Sequence, residues 1–130
     1  MVGEVIQCVY KPKREDLDWI LIKTTNDFYS MRLGGFKKET NSISLIDYEE
    51  MEIPFKGGQV KEIYTDEEWV YLILNDGNII VSGWTEGGFG DMNLGIKFTS
   101  LSNYDDGYFQ SPFLFKLIVG SDNWSQKLTQ

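Results

Sequence analysis

The segment between residues 68 and 84 constrains the fold of this 130-residue chain more than any other segment. Two runs rich in β-branched and aromatic residues, 69–74 and 79–81, flank the sequence Asn75-Asp76-Gly77-Asn78. Asp-Gly between such runs is a strong signal for a β-hairpin, because the tight turn requires a positive φ that glycine adopts without strain. Both runs are apolar on both faces, which predicts central strands of a sheet.

Alternation of apolar and polar residues predicts further strands along the chain. These predicted strands lie at 2–10, 19–24, 28–33, 42–46 and 94–99. Residues 47–52 fit either a helical turn or a polar loop, and the pattern does not decide between them. Turn signals separate all of these runs, which favours an antiparallel sheet built from hairpins.

The C-terminal third carries signals of both helix and strand. Ser111-Pro112 before an apolar run and Gly120 after it are typical of a short helix over 112–119, whereas Ile118 and Val119 favour a strand. We favour the helix, and we expect residues 121–130 to fray.

The chain as a whole is predicted to be one domain, residues 1–130. Its predicted class is mainly β, with α+β as the alternative. The predicted architecture is a single antiparallel twisted sheet or a small barrel, with one or two short helices.

A segment near the start of the chain resembles one near its middle. Asp16-Leu17-Asp18-Trp19-Ile20 aligns with Asp66-Glu67-Glu68-Trp69-Val70 at an offset of 50 residues. Each copy continues into an apolar run, an Asn-Asp turn and a Gly-Gly-Phe sequence, at 34–36 and 87–89. One interpretation is a duplicated hairpin unit that forms one sheet or a small barrel. The other is that acidic-aromatic strand starts recur by chance, since two copies are few.

The charge of the chain is concentrated in its middle half. The whole chain has 20 acidic and 12 basic side chains, a formal net charge of −8, and residues 41–106 alone hold 13 acidic and 3 basic ones. A negative field of this kind repels phosphate backbones, so we predict no binding to nucleic acid. It suits a basic protein partner. An acidic surface that serves only solubility is the alternative.

Several kinds of chemistry are excluded or disfavoured by residue types. The chain has no histidine, which excludes Ser-His-Asp and Cys-His catalysis and histidine-ligated metals. Cys8 is the only cysteine, and its apolar neighbours predict a buried thiol. Acidic groups at 66–68 and 103–106 do not match the twelve-residue calcium loop. We therefore expect no enzyme activity, no metal and no cofactor.

The sequence also bears on localisation. It contains no basic segment followed by an apolar one, as a signal peptide would have, and no run of roughly 18 apolar residues, so we expect a cytoplasmic protein without membrane contact.

Two loops, 84–91 and 103–109, combine large aromatic residues with acids. Aromatic anchors surrounded by carboxylates bind Lys- or Arg-rich surfaces, because the rings supply buried area and the acids supply attraction. The alternative is that Trp84 and Phe89 are core residues at strand ends. Together with the acidic triplet before Trp69, the candidate partner-binding residues are Asp66, Glu67, Glu68, Trp84, Glu86, Phe89, Asp91, Tyr104, Asp105, Asp106 and Tyr108.

In overall type, the chain resembles the small acidic immunity proteins that bacteria pair with secreted toxins. The resemblance rests on the β character, the stretch 65–77 and the acidic-aromatic loops. It implies a bacterial cytoplasmic inhibitor that neutralises a basic toxin domain, often a nuclease, by covering its active or substrate-binding surface. The alternative function is a small β-barrel or sandwich that binds a small ligand or another protein through an aromatic pocket. No oligomeric state is predicted.

Overall fold

A computed structural model of the chain describes residues 1–13, 19–32, 35–54, 57–66, 68–86, 92–103, 114–117 and 124–126. In these residues the strands form two antiparallel sheets, and a short 3₁₀ turn spans Leu101–Asn103. The first sheet has the order β4-β3-β2-β1-β5, with β1 Ile6–Pro12, β2 Ile20–Thr24, β3 Phe28–Arg32, β4 Gly35–Lys38 and β5 Tyr48–Met51. The second has the order β11-β10-β6-β7-β8-β9, with β6 Val60–Thr65, β7 Val70–Leu74, β8 Asn78–Glu86, β9 Met92–Ser100, β10 Phe115–Leu117 and β11 Trp124–Gln126.

The predicted hairpin is confirmed as β7 and β8. Gly77 has a φ of 86°, and its N–H donates to the carbonyl of Leu74 at 3.2 Å. The Asp76 carboxylate accepts a hydrogen bond from the N–H of Asn78 at 3.0 Å and so stabilises the last residue of the turn. Both strands are central, since β7 lies between β6 and β8, and β8 lies between β7 and β9. Every residue of β7 is buried, as expected for a strand that is apolar on both faces.

The two sheets contain two copies of one five-strand unit. We call β1–β5 the first unit and β6–β10 the second unit; each has its strands in the same spatial order. The residue pairs correspond between the units, for example Ile22–Tyr29 with Leu72–Ile80, Met31–Phe36 with Ser82–Ile96, and Tyr10–Glu50 with Tyr64–Lys116. Even the register shift between Ile6 and Cys8 recurs between Val60 and Glu62. The structure therefore supports the duplicated unit over chance recurrence.

A local two-fold axis relates the two units where β1 and β6 begin. The N–H of Gly3 donates to Val60 O at 2.8 Å, and the equivalent N–H of Gly57 donates to Ile6 O at 3.1 Å. Both glycines have a positive φ, 88° and 87°. Val5 and Gln59 form an antiparallel bridge at the same point. Since β1 and β6 run in opposite directions from this bridge, their far ends point toward opposite ends of the molecule.

One core lies between the two sheets. It combines the inward-facing residues of both units, and its buried members are Ile6, Val9, Ile20, Ile22, Met31, Ile53, Val60, Ile63, Val70, Leu72, Leu74, Ile80 and Leu117. A second apolar cluster lies on the outer face of the second sheet and contains Tyr64, Tyr71, Ile73, Ile79, Val81 and Leu114. The second sheet is thus apolar on both faces, and the two sheets form a sandwich around the shared core.

The mainly β class is confirmed, but the structure corrects several details. The prediction of one sheet or a barrel is wrong, because each unit forms its own open sheet and the two pack face to face. The strand predicted at 42–46 is absent; the strand is Tyr48–Met51, where the acidic segment pairs with β1. Cys8 is half-exposed rather than buried, since alternation along β1 turns it away from the core.

The predicted C-terminal helix is also wrong in the part that the structure describes. Phe115–Leu117 forms strand β10, because these residues complete the sheet beside β6 in the way that β5 completes the first sheet. The other residues of 112–119, except Leu114, lie outside the described ranges. Within the predicted frayed tail, Trp124–Gln126 pairs with β10 as β11, and 121–123 and 127–130 lie outside the described ranges. The described residues contain no α-helix.

Candidate functional site

The second unit departs from the first in the hairpin of β8 and β9. Two residues, 33 and 34, separate Arg32 from its partner Gly35 in the first unit. Eleven residues, 84–94, separate the equivalent Gly83 from Gly95. Strand pairing continues into this insertion, with Trp84 opposite Leu94 and Glu86 opposite Met92. We call the paired residues 84–86 and 92–94 the arm. The arm extends beyond β7, whose first residue pairs with Ser82.

The turn between β6 and β7 is built around Asp66. Its Oδ1 accepts the N–H of Glu68 at 3.1 Å and the N–H of Trp69 at 2.7 Å. Its Oδ2 accepts the hydroxyl of Tyr71 at 2.8 Å. Tyr71 is completely buried, so its hydroxyl requires a partner of this kind. Asp66 therefore stabilises a turn of the type that aspartate commonly makes, and a contact with a partner protein stays a prediction.

Trp69 connects this turn to the base of the arm. Its ring lies against Gly83, where a Cβ atom would overlap Trp69 Cδ2 and would be 2.8 Å from the carbonyl oxygen of Glu68. No real Cβ tolerates such distances, so a glycine is required at this position for the turn and the strand to approach. This close packing fixes the exposed Glu68 next to the arm.

Four of the eleven predicted site residues are brought to one end of the second sheet. Asp66 and Glu68 belong to the turn, while Trp84 and Glu86 belong to the arm. The other seven lie outside the described residues, and they are Glu67, Phe89, Asp91, Tyr104, Asp105, Asp106 and Tyr108. Asp66 and Glu68 are thus neighbours in the fold of residues 84–86, which begin the acidic-aromatic loop.

The acidic residues of 41–106 do not form a single face. Glu49, Glu50 and Glu52 are exposed at and just after β5 of the first sheet. The strand β5 pairs with the end of β1, whereas Asp66 and Glu68 follow the end of β6. Those two ends point in opposite directions from the local two-fold axis.

Glu62, one of the acids of residues 41–106, forms an ion pair and a hydrogen bond within the molecule. Its Oε2 accepts the hydroxyl of Tyr64 at 2.7 Å, and Lys116 Nζ on β10 lies 3.3 Å from its Oε1. Burial disfavours the charged form of Glu62, but the hydrogen bonds from Tyr64 and Lys116 outweigh it and lower its pKa below the ordinary value. Glu62 is therefore charged at neutral pH and joins β6 to β10.

The turn and the arm together form the candidate binding surface. Among the described residues, no three His, Cys, Asp or Glu side chains come together to hold a metal ion. No helix among the described residues has the length and apolar character needed to cross a membrane.

Comparison with known proteins gives no match. No family model matches the sequence, and neither a characterised protein nor a solved structure shows significant similarity to it. The described residues place an inserted arm beside a turn that is held together by Asp66.

The contacts of Asp66 and Glu68 predict different effects on stability. Asp66→Ala is expected to lower the free energy of unfolding by about 1–3 kcal/mol, because it leaves three donors without their acceptor. Glu68→Ala is the matched control, and the exposure of its side chain predicts a change below about 0.5 kcal/mol. Urea unfolding followed by tryptophan fluorescence measures both. Equal stabilities for the two variants would show that the turn does not depend on Asp66.

Proposed function

We propose that this protein is an acidic inhibitor of the immunity-protein type, which acts in the bacterial cytoplasm and neutralises a basic toxin domain, in particular a nuclease. It binds the toxin through the arm and the neighbouring turn and covers the active or substrate-binding surface. The observation that carries the proposal is the insertion of 84–94 into one copy of a duplicated unit. The inhibition is stoichiometric and requires no catalytic group on the inhibitor.

The comparison of the two units supports a binding role for the arm. The first unit connects its equivalent strands with two residues, so closure of the hairpin does not require eleven. Segments that exceed what the scaffold needs are where binding residues concentrate. The insertion contains Trp84 and Phe89, and large aromatic side chains are the residue type that most often dominates the energy of protein interfaces.

Charge supports a basic partner. The turn and the insertion contribute Asp66, Glu67, Glu68, Glu86 and Asp91 to the net charge of −10 in residues 41–106. A nuclease holds phosphates with Lys and Arg, and carboxylates of an inhibitor can occupy the same positions. Attraction between the two surfaces accelerates association by ~10–1,000-fold at low ionic strength. It also makes the complex sensitive to salt.

The proposal is tested with the catalytic domain of a toxin encoded by the gene next to that of this protein. We expect a complex with one copy of each protein, loss of toxin activity, and an association rate that falls steeply between about 0.01 and 1 M salt. Over that range the Debye length decreases from roughly 30 to 3 Å. Absence of a complex, or an association rate that does not respond to salt, would contradict the proposal.

Single charge removals locate the binding surface. Glu68→Gln and Glu86→Gln are each expected to slow association by about two- to fivefold, because each removes one charge from the attraction between the two proteins. Asp76→Asn is the matched control, since Asp76 is an exposed acid of the same sheet in the turn at the other end of β7. Stopped-flow fluorescence of toxin binding measures all three. An equal effect of Asp76→Asn would show that only the total charge matters.

A further inference from the structure

The base of the arm is a pair of glycines. Gly83 on β8 is opposite Gly95 on β9, and the strand pairing continues beyond them into 84–86 and 92–94. The pairing of β8 with its other neighbour, β7, ends one residue earlier, at Ser82. Among the described residues the arm is therefore a two-stranded ribbon. Glycine weakens a strand because it loses more backbone freedom on folding than other residues, so we expect the arm to bend most easily at this pair.

Trp69 packs against the base of the arm from the neighbouring turn. A Cβ atom on Gly83 would lie 2.6 Å from Trp69 Cε3 and 2.8 Å from the carbonyl oxygen of Glu68. The ring therefore occupies the space that any side chain at residue 83 would need. Trp69 also packs against the apolar cluster on the outer face of the second sheet. The ring thus connects the base of the arm to the sheet.

The backbone of Trp69 is held in place by the turn. Its N–H donates to Asp66 Oδ1 at 2.7 Å. Its carbonyl oxygen accepts the N–H of Asp66 at 3.2 Å and the hydroxyl of Thr65 at 2.9 Å. Because three hydrogen bonds fix the backbone, the ring has little freedom to move relative to the turn. A contact with this ring consequently fixes the arm relative to the turn.

The first unit places its equivalent tryptophan differently. Trp19 precedes β2 in the same way, but the position equivalent to Gly83 is Arg32, whose side chain is exposed. The ring of Trp19 lies instead 3.7 Å from the position of a Cβ on Gly35, on the next strand of the sheet. Lys37 Nζ lies 4.6 Å from its centroid. The close packing of the ring on a glycine of the hairpin thus occurs in the unit that carries the arm.

We propose that Trp69 is a positioning residue that holds the arm in one direction relative to the turn, so that both meet the partner as a preformed surface. A segment that is already held in its bound conformation loses less conformational entropy on binding, which strengthens the complex. An arm that samples many directions is competent to bind for only a fraction of the time, and its affinity falls by that fraction. The effect on toxin binding rests on the proposed function, whereas the effect of Trp69 on the free arm does not.

Amide hydrogen exchange of the free, full chain tests the role of Trp69. Trp69→Leu is expected to accelerate exchange at 84–86 and 92–94 by about tenfold or more relative to the amides of β7. Trp69→Phe keeps a ring at this position and is expected to restore most of the protection. Trp19→Leu is the matched control, which is expected to leave the arm unchanged because the Trp19 ring packs in the first unit. An arm that exchanges equally fast with and without Trp69, or equal acceleration in β7 and the arm, would overturn the inference.

A second variant disturbs the same contact from the arm. Gly83→Ala adds a methyl group that displaces the ring while Trp69 is kept, and it is expected to loosen the arm as Trp69→Leu does. Both variants are expected to bind the toxin domain about tenfold or more weakly, and Trp19→Leu to bind it with unchanged affinity. A loosened arm with full affinity would overturn the inference and leave inhibition of the toxin intact. A loosened arm in a protein that binds no toxin would support the positioning role and contradict the proposed function.

Discussion

Replacement of residues 84–94 by Leu-Gly, the two residues at 33 and 34 of the first unit, is expected to abolish toxin binding while the sandwich stays folded. The shortened hairpin has a template in the same molecule, because Arg32 and Gly35 already pair across a two-residue connection. The described contact of Trp69 with Gly83 lies outside the replaced segment. Loss of the proposed aromatic anchors predicts binding that is at least about a hundredfold weaker, which corresponds to about 2.8 kcal/mol.

Two measurements check this result. Titration calorimetry with the toxin domain gives the affinity, and thermal unfolding with hydrogen exchange shows whether the two sheets remain intact. A second variant replaces 84–94 by eleven Gly and Ser residues, which keeps the length and removes the side chains. We expect it to lose binding to the same extent. Full affinity in either variant would show that the arm is not the binding site.

A large loss of stability is expected when side chains of the shared core are truncated. Ile22 and Leu72 occupy equivalent positions in β2 and β7, and both are completely buried in the core between the sheets. Ile22→Ala and Leu72→Ala are each expected to lower the free energy of unfolding by about 2–5 kcal/mol. Since the core is contributed by both units, each substitution is expected to destabilise both sheets together. Unfolding then remains a single transition.

Urea unfolding and residue-specific hydrogen exchange test this expectation. Ile46→Ala is the matched control, because Ile46 is 79% exposed and its truncation should change stability by less than about 0.5 kcal/mol. The informative comparison is between amides of β2 and of β7 in each core variant. If Leu72→Ala accelerated exchange only in the second sheet, or if two transitions appeared, the units would be independent folding modules.

The elements that local sequence signals predicted well are those whose residues specify their own conformation. Gly77 supplies the positive φ of the β7–β8 turn, and the continuous apolar run of β7 predicts a central strand. The strands β5 and β10 were missed for the opposite reason. Tyr48–Met51 is polar and Phe115–Leu117 follows helix-like punctuation, so only their pairing with β1 and β6 makes them strands. Pairing of this kind is a tertiary interaction that no short window contains.

The site was predictable to a similar, limited degree. The repeat was visible in Asp66-Glu67-Glu68-Trp69-Val70, but only the pairing of the strands shows that each copy forms its own sheet. In the sequence, Asp66 and Glu68 look like equivalent acids of one triplet. The structure gives them different roles, because the Asp66 carboxylate accepts hydrogen bonds within the turn and the Glu68 side chain is exposed. An aspartate at the first position of a four-residue turn is the signal that could have identified Asp66.

The reciprocal hydrogen bonds at Gly3 and Gly57 also bear on how such a molecule arises. They are the contacts that an isologous dimer makes, in which each subunit offers the same donor and the same acceptor to its twin. A half-length chain contains every backbone group needed to pair with a second copy of itself across this axis. Fusion of the two halves removes the requirement that they be identical. One half can then keep the two-residue connection of its hairpin while the other lengthens the same connection to eleven residues.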